Sequence, residues 1–407
     1  MFLKNTINFQ YIFARAISVA YKPVILTYLS FISEKKLLNE FSIVFLFSTF
    51  ALLGSSFSTY RDFYLYKFNK KKRIFNIRKN KTLLSKYLNS LILITIGIII
   101  IFFFLGLKNI FFLKLYIPII LIFLVDKFWD EIQRYLIVKK DIRFWSFFTI
   151  AKKIITLISF LISINQLFYD KILFFSILNF ILIGVFYFYI IYKLNFDFSL
   201  YNLNLYTGCK YVIYHIRFLI FNIVINTFSY LDRIVTYFYS LNDIGQITIC
   251  SMTFSLLSAL IFFFYISEKR KEIIKNIITV SDFLKSKEFY KVLILGYFFC
   301  LILSIVFKQF GIIELELSLI FLIGFVQLFY ALGLLFIENF FWKKSYHVII
   351  TTDLIILILF IILLFILKNF IGIKETYIIL NIILFLRILI YLYLSGYKNK
   401  LYQKIKT

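Results

Sequence analysis

Long uninterrupted apolar runs constrain this chain more than any motif in it. Leu91–Leu107 and Leu354–Leu367 consist almost entirely of Ile, Leu and Phe. A helix needs about 20 apolar residues to cross about 30 Å of hydrocarbon. Strands of a membrane barrel would instead alternate apolar and polar positions over about ten residues, and these runs do not alternate. Composition agrees: 62% of the residues are hydrophobic, whereas a soluble domain holds about half. Mean hydropathy is +0.91. The expected fold is all-α and polytopic, with the chain embedded in a bilayer.

The apolar runs place about twelve transmembrane helices, at approximately 9–31, 38–58, 87–107, 115–137, 144–166, 170–192, 211–231, 243–267, 291–310, 315–338, 346–367 and 375–395. Most connections are short. The longer ones, Tyr60–Lys86, Lys193–Lys210 and Glu268–Tyr290, are too small for a catalytic domain. Lys and Arg concentrate on one side: about 30 fall in the terminal segments and alternate loops, against about nine in the opposite loops. The densest cluster is Lys70-Lys71-Lys72-Arg73, followed by Arg78, Lys79 and Lys81. Both termini are therefore expected in the cytoplasm, with basic loops able to meet anionic membrane lipids.

The formal charge of +26 would suggest nucleic acid in a soluble protein. Between membrane spans it reads as loop charge, so no nucleic-acid partner is expected. Cys209, Cys250 and Cys300 are far apart and lie in or beside apolar spans, which suits packing thiols. With only His215 and His347, a histidine metal site is not expected. Ala14-Arg15-Ala16 resembles a cleavage site, but no apolar stretch precedes it, so the N-terminus is expected to be retained. There is no phosphate-binding glycine loop, nucleophile elbow or carboxylate cluster in a loop. No catalytic residue and no cofactor follow from this sequence; a transporter is expected rather than an enzyme.

One short repeat divides the chain. Leu38-Asn39-Glu40-Phe41-Ser42 opens the second span and Leu241-Asn242-Asp243-Ile244-Gly245 opens the eighth, 203 residues later. Each follows the first helix of a six-span half. The expected organisation is two pseudo-symmetric six-helix halves, 1–198 and 199–407, around a central cavity, a common plan among transporters.

Ionisable groups inside spans cost at least about 2.5 kcal/mol each at the membrane centre, so they mark function or pairing. In the first span Asn8, Tyr11, Arg15, Ser18 and Lys22 recur every three or four residues and share a face. Lys22 directly precedes Pro23, which removes a backbone donor. In the seventh span His215, Asn222, Asn226, Ser229 and Arg233 form a second stripe, with Arg217 near its cytoplasmic end. The fourth span carries Asp126, Lys127, Asp130, Glu131 and Arg134. Asp130 with Arg134 and Lys127 with Glu131 are spaced to pair along the helix. Asp126 and Asp130 share a face, and their repulsion would favour proton uptake by one of them. Asp353 and Arg387 stand isolated in apolar sequence and need partners on other helices.

The span count, the basic second loop and the repeated Leu-Asn-acidic motif resemble the O-antigen and capsular polysaccharide repeat-unit flippases. That superfamily also holds multidrug-extrusion proteins and peptidoglycan-precursor flippases. The closest local likeness is Tyr230-Leu231-Asp232-Arg233 followed by Leu241-Asn242-Asp243-Ile244-Gly245. In the first half the chain departs, with Ser42 where the family often has Gly. The resemblance implies an undecaprenyl-diphosphate-linked oligosaccharide as substrate, moved from the cytoplasmic to the periplasmic leaflet of a bacterial inner membrane. It also implies an association with other polysaccharide-assembly membrane proteins. Arg15, Lys22, Arg217 and Arg387 become candidate contacts for the diphosphate or acidic sugars. His215, Asn222, Asn226 and Ser229 become candidates for sugar hydroxyls. Asp126, Asp130, Arg134 and Asp353 are left with two roles, coupling to H+ or Na+ or structural pairing.

Three other readings fit a chain of this kind. An O-antigen polymerase would carry a long periplasmic loop, and the long loops here fall on the cytoplasmic side. A drug or metabolite exporter for cations would favour an acidic interior, and this one reads as cationic. A membrane scaffold would not need charges inside its spans.

Overall fold

The computed structural model describes residues 14, 17, 20–55, 81–108, 110–139, 142–166, 170–193, 204–260, 286–342, 346–367 and 370–406. Among these residues the elements are helical: α1 (20–31), α2 (Lys35–Gly54), α3 (Lys81–Lys108), α4 (Ile110–Lys139), α5 (Ile142–Asn165), α6 (Lys171–Lys193), α7 (Leu205–Ser229), α8 (Leu231–Tyr239), α9 (Ile244–Leu260), α10 (Lys287–Gln309), α11 (Leu317–Trp342), α12 (Tyr346–Leu367) and α13 (Ile373–Lys406). A short 3-10 turn, Leu241–Asp243, joins α8 to α9. Arg15 and the other first-span stripe residues Asn8, Tyr11 and Ser18 lie outside the described residues. So does the basic cluster Lys70–Arg73 with Arg78 and Lys79.

Six described helices are each long and apolar enough to cross a bilayer: Phe144–Asn165, Lys171–Lys193, Lys287–Gln309, Leu317–Ile337, His347–Leu367 and Ile373–Ser395. The segments Leu205–Arg217 and Leu219–Ser229 meet that description together, but they diverge by 56°. The protein is therefore a multi-pass membrane protein by its helices.

The faces of these helices explain the apolar excess. On α6 the buried side chains are Ile172, Phe175, Ser176, Asn179, Ile183, Tyr187 and Ile190, a stripe with helical spacing. A soluble helix would be polar on its opposite face. Here that face holds Val185, Phe188, Tyr189 and Tyr192, all exposed, with Phe188 77% accessible. A helix that is apolar all round and still exposed is suited to lipid.

Local chemistry sets the ends of several elements. Ser286 caps α10 by accepting from the backbone N–H of Phe289 at 3.4 Å, with Glu288 in the first turn and Lys308 in the last. Gly311 follows that helix at φ +72°, a left-handed conformation that favours glycine. The break between α7 and α8 is a single residue, Tyr230, whose N–H still reaches Asn226 O at 3.2 Å.

The chain forms two compact units. The first comprises Met1–Ile25 and Val44–Asn222; the second comprises Leu26–Ile43 and Ile223–Thr407. In the first, α4 packs on α3, α5 and α6, and α5 packs on α6. An aromatic cluster lies there: Trp129 stacks on Tyr187 at 6.2 Å, with Trp145 and Phe148 buried close by. In the second, α11 packs against α9, α10, α12 and α13. Gly324 permits the approach of α9, because a Cβ there would lie 2.8 Å from the Phe254 ring.

Candidate functional site

The charges that interrupt the spans are gathered within each unit. In the first unit α1, α4 and α5 bring Lys22, Asp126, Lys152 and Lys153 together. Lys152 Nζ donates to Asp126 Oδ1 at 2.6 Å, and Lys22 Nζ lies 3.8 Å from Asp126 Oδ2. Lys22 also donates to Thr49 Oγ1 at 2.6 Å and lies 5.1 Å from the centre of the Phe45 ring. Lys153 makes no ion pair or hydrogen bond among the described residues. Its ammonium sits 3.6 Å from the centre of the Tyr21 ring, and the residue is 5% exposed. A further cation–π contact places Lys152 5.7 Å from the Trp129 ring.

Three lysines thus gather around one buried carboxylate, Asp126, with Asp130 acting on Lys152 from the same helix as Asp126. Removing an ion from water costs several kcal/mol in a protein interior. Asp126 and the aromatic faces offset part of that cost for Lys152 and Lys22. For Lys153 the direct contact among the described residues is the Tyr21 ring, with Asp126 acting from a longer distance. A buried cation with no carboxylate at ion-pair distance gains by pairing with an anion, because its own desolvation has already taken place on folding.

Asp126 is consequently a lysine partner. Its described contacts are with ammonium groups that come from α1 and α5. Lys127 does pair along its own helix with Glu131 at 3.1 Å, and it also donates to the Ser55 carbonyl at 3.1 Å. Asp130 is half-buried on the same helix. The side chain of Arg134 lies outside the described residues.

The second unit holds a separate pair. Arg387 donates to Asp353 through Nε at 2.8 Å and through NH2 at 2.6 Å, a bidentate geometry. Tyr391 donates to Asp353 Oδ1 at 2.5 Å, and Phe228 covers the guanidinium at 4.1 Å. Arg387 and Asp353 are 1% and 0% exposed at their side chains. Structural pairing, one of the two roles the sequence left to Asp353, is therefore present in the fold, and Arg387 is its partner.

Asp232 is a second buried and well-connected carboxylate of this unit. It accepts from Ser251 Oγ, from Gln327 Nε2 at 3.0 Å and from the Arg233 N–H at 2.9 Å. Its carbonyl accepts from Tyr377 at 3.1 Å and Thr236 at 2.8 Å. One residue of α8 thereby ties α9, α11 and α13. Arg233, beside it, is buried with its guanidinium 4.9 Å from the Tyr230 ring centre.

The seventh-span stripe is not one straight face. The 56° divergence within α7 separates His215 and Arg217 from Asn222, Asn226 and Ser229, and the break at Tyr230 sets Arg233 on a further helix. His215 is buried between Tyr211 at 4.3 Å and Tyr214 at 4.9 Å, and Arg217 is exposed. Ser229 donates to Asn226 O at 2.8 Å.

Lys152 and Lys153 were not among the residues singled out from the sequence, although the rule that found Lys22 applies to them. They interrupt an apolar span within three residues of the middle of 144–166. Asp232 entered only through a family resemblance; it lies one residue past the expected seventh span, so the rule for charges inside spans does not reach it.

No family model matches the chain, and no curated protein matches it. Among solved structures it is similar to a multidrug resistance MATE family transporter of the MOP superfamily, in an inward-facing conformation, with a TM-score of 0.54. The match spans 98% of this chain and 96% of that one at 11% identity. At that identity the likeness is one of fold, and the chain has the fold of that transporter.

Proposed function

We propose that this chain is a membrane transporter that moves a polyprenyl-diphosphate-linked oligosaccharide between leaflets. The observation that carries the proposal is the sign of the buried site: Lys22, Lys152 and Lys153 around Asp126. A diphosphate diester carries two negative charges, which suits a buried cluster in which lysines outnumber the carboxylate they surround. The negative groups replace water around the ammonium ions and need no other counter-ion. The polyprenyl chain stays in lipid. Asn222, Asn226, Ser229 and His215 are the proposed contacts for sugar hydroxyls, and Arg15, Lys22, Arg217 and Arg387 the proposed cationic contacts. Arg387 serves this role only if substrate competes with Asp353 for its guanidinium.

The arrangement proposed is about twelve spans in two halves, 1–198 and 199–407, with both termini in the cytoplasm of a bacterium. Alternating access between the halves is the cycle this reading requires. H+ or Na+ coupling through Asp126, Asp130 or Asp353 and contact with other polysaccharide-assembly proteins complete it.

A second reading has its own support, because the similar solved structure is a multidrug resistance transporter. An exporter of small cationic compounds would need a site of the opposite sign, and the surplus of lysine weighs against cations. Deleting the gene tests the two. Loss of the flippase leaves diphosphate-linked repeat units on the cytoplasmic leaflet. A normal leaflet distribution with raised sensitivity to lipophilic cations sinks the proposal and supports the exporter.

A further inference from the structure

The second unit holds two buried arginines that differ in one respect. Arg387 is neutralised: it meets Asp353 through two nitrogens, and its side chain is 1% exposed. Arg233 is not. It is 5% exposed, it forms no ion pair among the described residues, and its Nε has no hydrogen-bond partner there. Its direct contact is the Tyr230 ring, whose centre lies 4.9 Å from the guanidinium carbon.

Asp232 immediately precedes Arg233, yet the two side chains do not pair. Successive residues of a helix do not face each other. The Asp232 carboxylate is instead engaged by Ser251 of α9 and Gln327 of α11. It also accepts the backbone N–H of Arg233 at 2.9 Å, so the contact between these neighbours is through the main chain. The helix break at Tyr230 begins α8, and Leu231, Val235 and Thr236 bury the same short helix on which Arg233 sits. The guanidinium is thereby held inside the fold with its charge unspent. Tyr330 of α11 stands within electrostatic reach of both Arg233 and Arg387 and carries a hydroxyl donor.

A buried guanidinium without a partner is costly to fold with, and that desolvation is complete before any ligand arrives. An anion that meets it forms charge-assisted hydrogen bonds in a planar fork that suits a carboxylate. We propose that Arg233 binds the carboxylate of an acidic sugar, so that the substrate is an acidic rather than a neutral oligosaccharide. The proposal rests on the reading of the chain as a carrier of a diphosphate-linked oligosaccharide. There the lysines of the first unit take the diphosphate. A separate anion site in the second unit calls for a second negative group on the same molecule, and the glycan is the part left to carry it. A carboxylate brings the single charge that one guanidinium matches.

The test titrates purified protein in nanodiscs with two fluorescent polyprenyl-diphosphate disaccharides. They differ at one sugar, which is glucuronic acid or glucose. The parent should prefer the acidic lipid about tenfold, which corresponds to about 1.4 kcal/mol. Arg233→Gln should bring that ratio close to one. Arg233→Lys, which keeps the charge and loses the fork, should retain part of the preference, and it serves if the glutamine variant does not fold. In a second arm the glucuronyl disaccharide is added without lipid or diphosphate. It should raise the melting temperature of the parent and not that of Arg233→Gln, and the glucosyl disaccharide should raise neither. Equal affinity of the parent for the two lipids overturns the proposal, as does an acidic preference that survives in Arg233→Gln. If neither lipid binds, the diphosphate reading fails and the second arm decides the site. Protection of the parent by the glucuronyl sugar that Arg233→Gln loses then sustains it, and lack of protection overturns it.

Discussion

Lys153→Met separates a ligand-binding lysine from a structural one. In the structure this ammonium is buried, has no carboxylate within ion-pair distance among the described residues, and rests on the Tyr21 ring. Its removal abolishes a desolvation cost of several kcal/mol and gives up a cation–π contact of about 2 kcal/mol. Met fills similar volume, so no large cavity follows. The net effect on stability is expected between neutral and about 3 kcal/mol stabilising. Asp126→Asn is the contrasting variant. It leaves Lys152 and Lys22 beside a neutral amide, and breaking such a buried pair costs about 3–5 kcal/mol. Transport should respond differently. A hydrogen bond to a charged group contributes about 1.5–3 kcal/mol, so Lys153→Met should lower affinity for a diphosphate lipid by about tenfold to a hundredfold. The assay combines thermal unfolding in nanodiscs with titration of a fluorescent diphosphate lipid. Lys153→Met that melts lower than the parent, with unaltered lipid affinity, would refute the argument that this cation is held for a ligand.

Other consequences are open to measurement. Asp353→Asn and Arg387→Leu should each lose about 3–5 kcal/mol, while the double apolar replacement Asp353→Leu with Arg387→Leu should recover much of that loss in thermal unfolding. Gly324→Ala should destabilise by about 1–3 kcal/mol, because its Cβ would press on Phe254; adding Phe254→Leu should relieve part of the loss. The hydrogen bond from Lys35 holds the Glu314 carboxyl below the usual carboxylate range. A group whose folded pKa is depressed contributes its stability above the unfolded value and loses it as pH falls through the folded value. Hydrogen exchange across residues 29–38 should therefore be steady near neutral pH and rise under acid conditions below the ordinary carboxylate range, and Lys35→Gln should flatten that response.

How far the sequence carried the fold depended on whether a property was local. The apolar runs around Leu354–Leu367 and Lys171–Lys193 dictate helices, because each backbone group must be satisfied within its own segment in lipid. The intramembrane residues Lys22, Asp126, Asp353 and Arg387 were legible as costly, for the same reason. Their partners were not. Spacing along one helix reveals i, i+4 neighbours, and it found Lys127 with Glu131. The partners of Asp126 come from α1 and α5, and that of Arg387 from α12, which no local pattern encodes. Lys152 and Lys153 were legible by the rule applied to Lys22, since they too interrupt an apolar span near its middle. The repeat at Asn39 and Asn242 could be read as duplication, whereas its direct contact is a property of the folded chain. The single face drawn through His215 and Ser229 assumed a straight helix, and the bend within α7 removes that assumption.

The central claim is that a surplus of buried lysine receives a diphosphate. Reconstitution tests it most directly. Purified protein in liposomes is given either a fluorescent polyprenyl-diphosphate oligosaccharide or a fluorescent lipophilic cation, and the quenchable outer-leaflet or external fraction is followed in time. The account predicts protein-dependent movement of the diphosphate lipid, slowed by Lys152→Met and Lys153→Met, and no movement of the cation. Transport of the cation with no movement of the diphosphate lipid would contradict it.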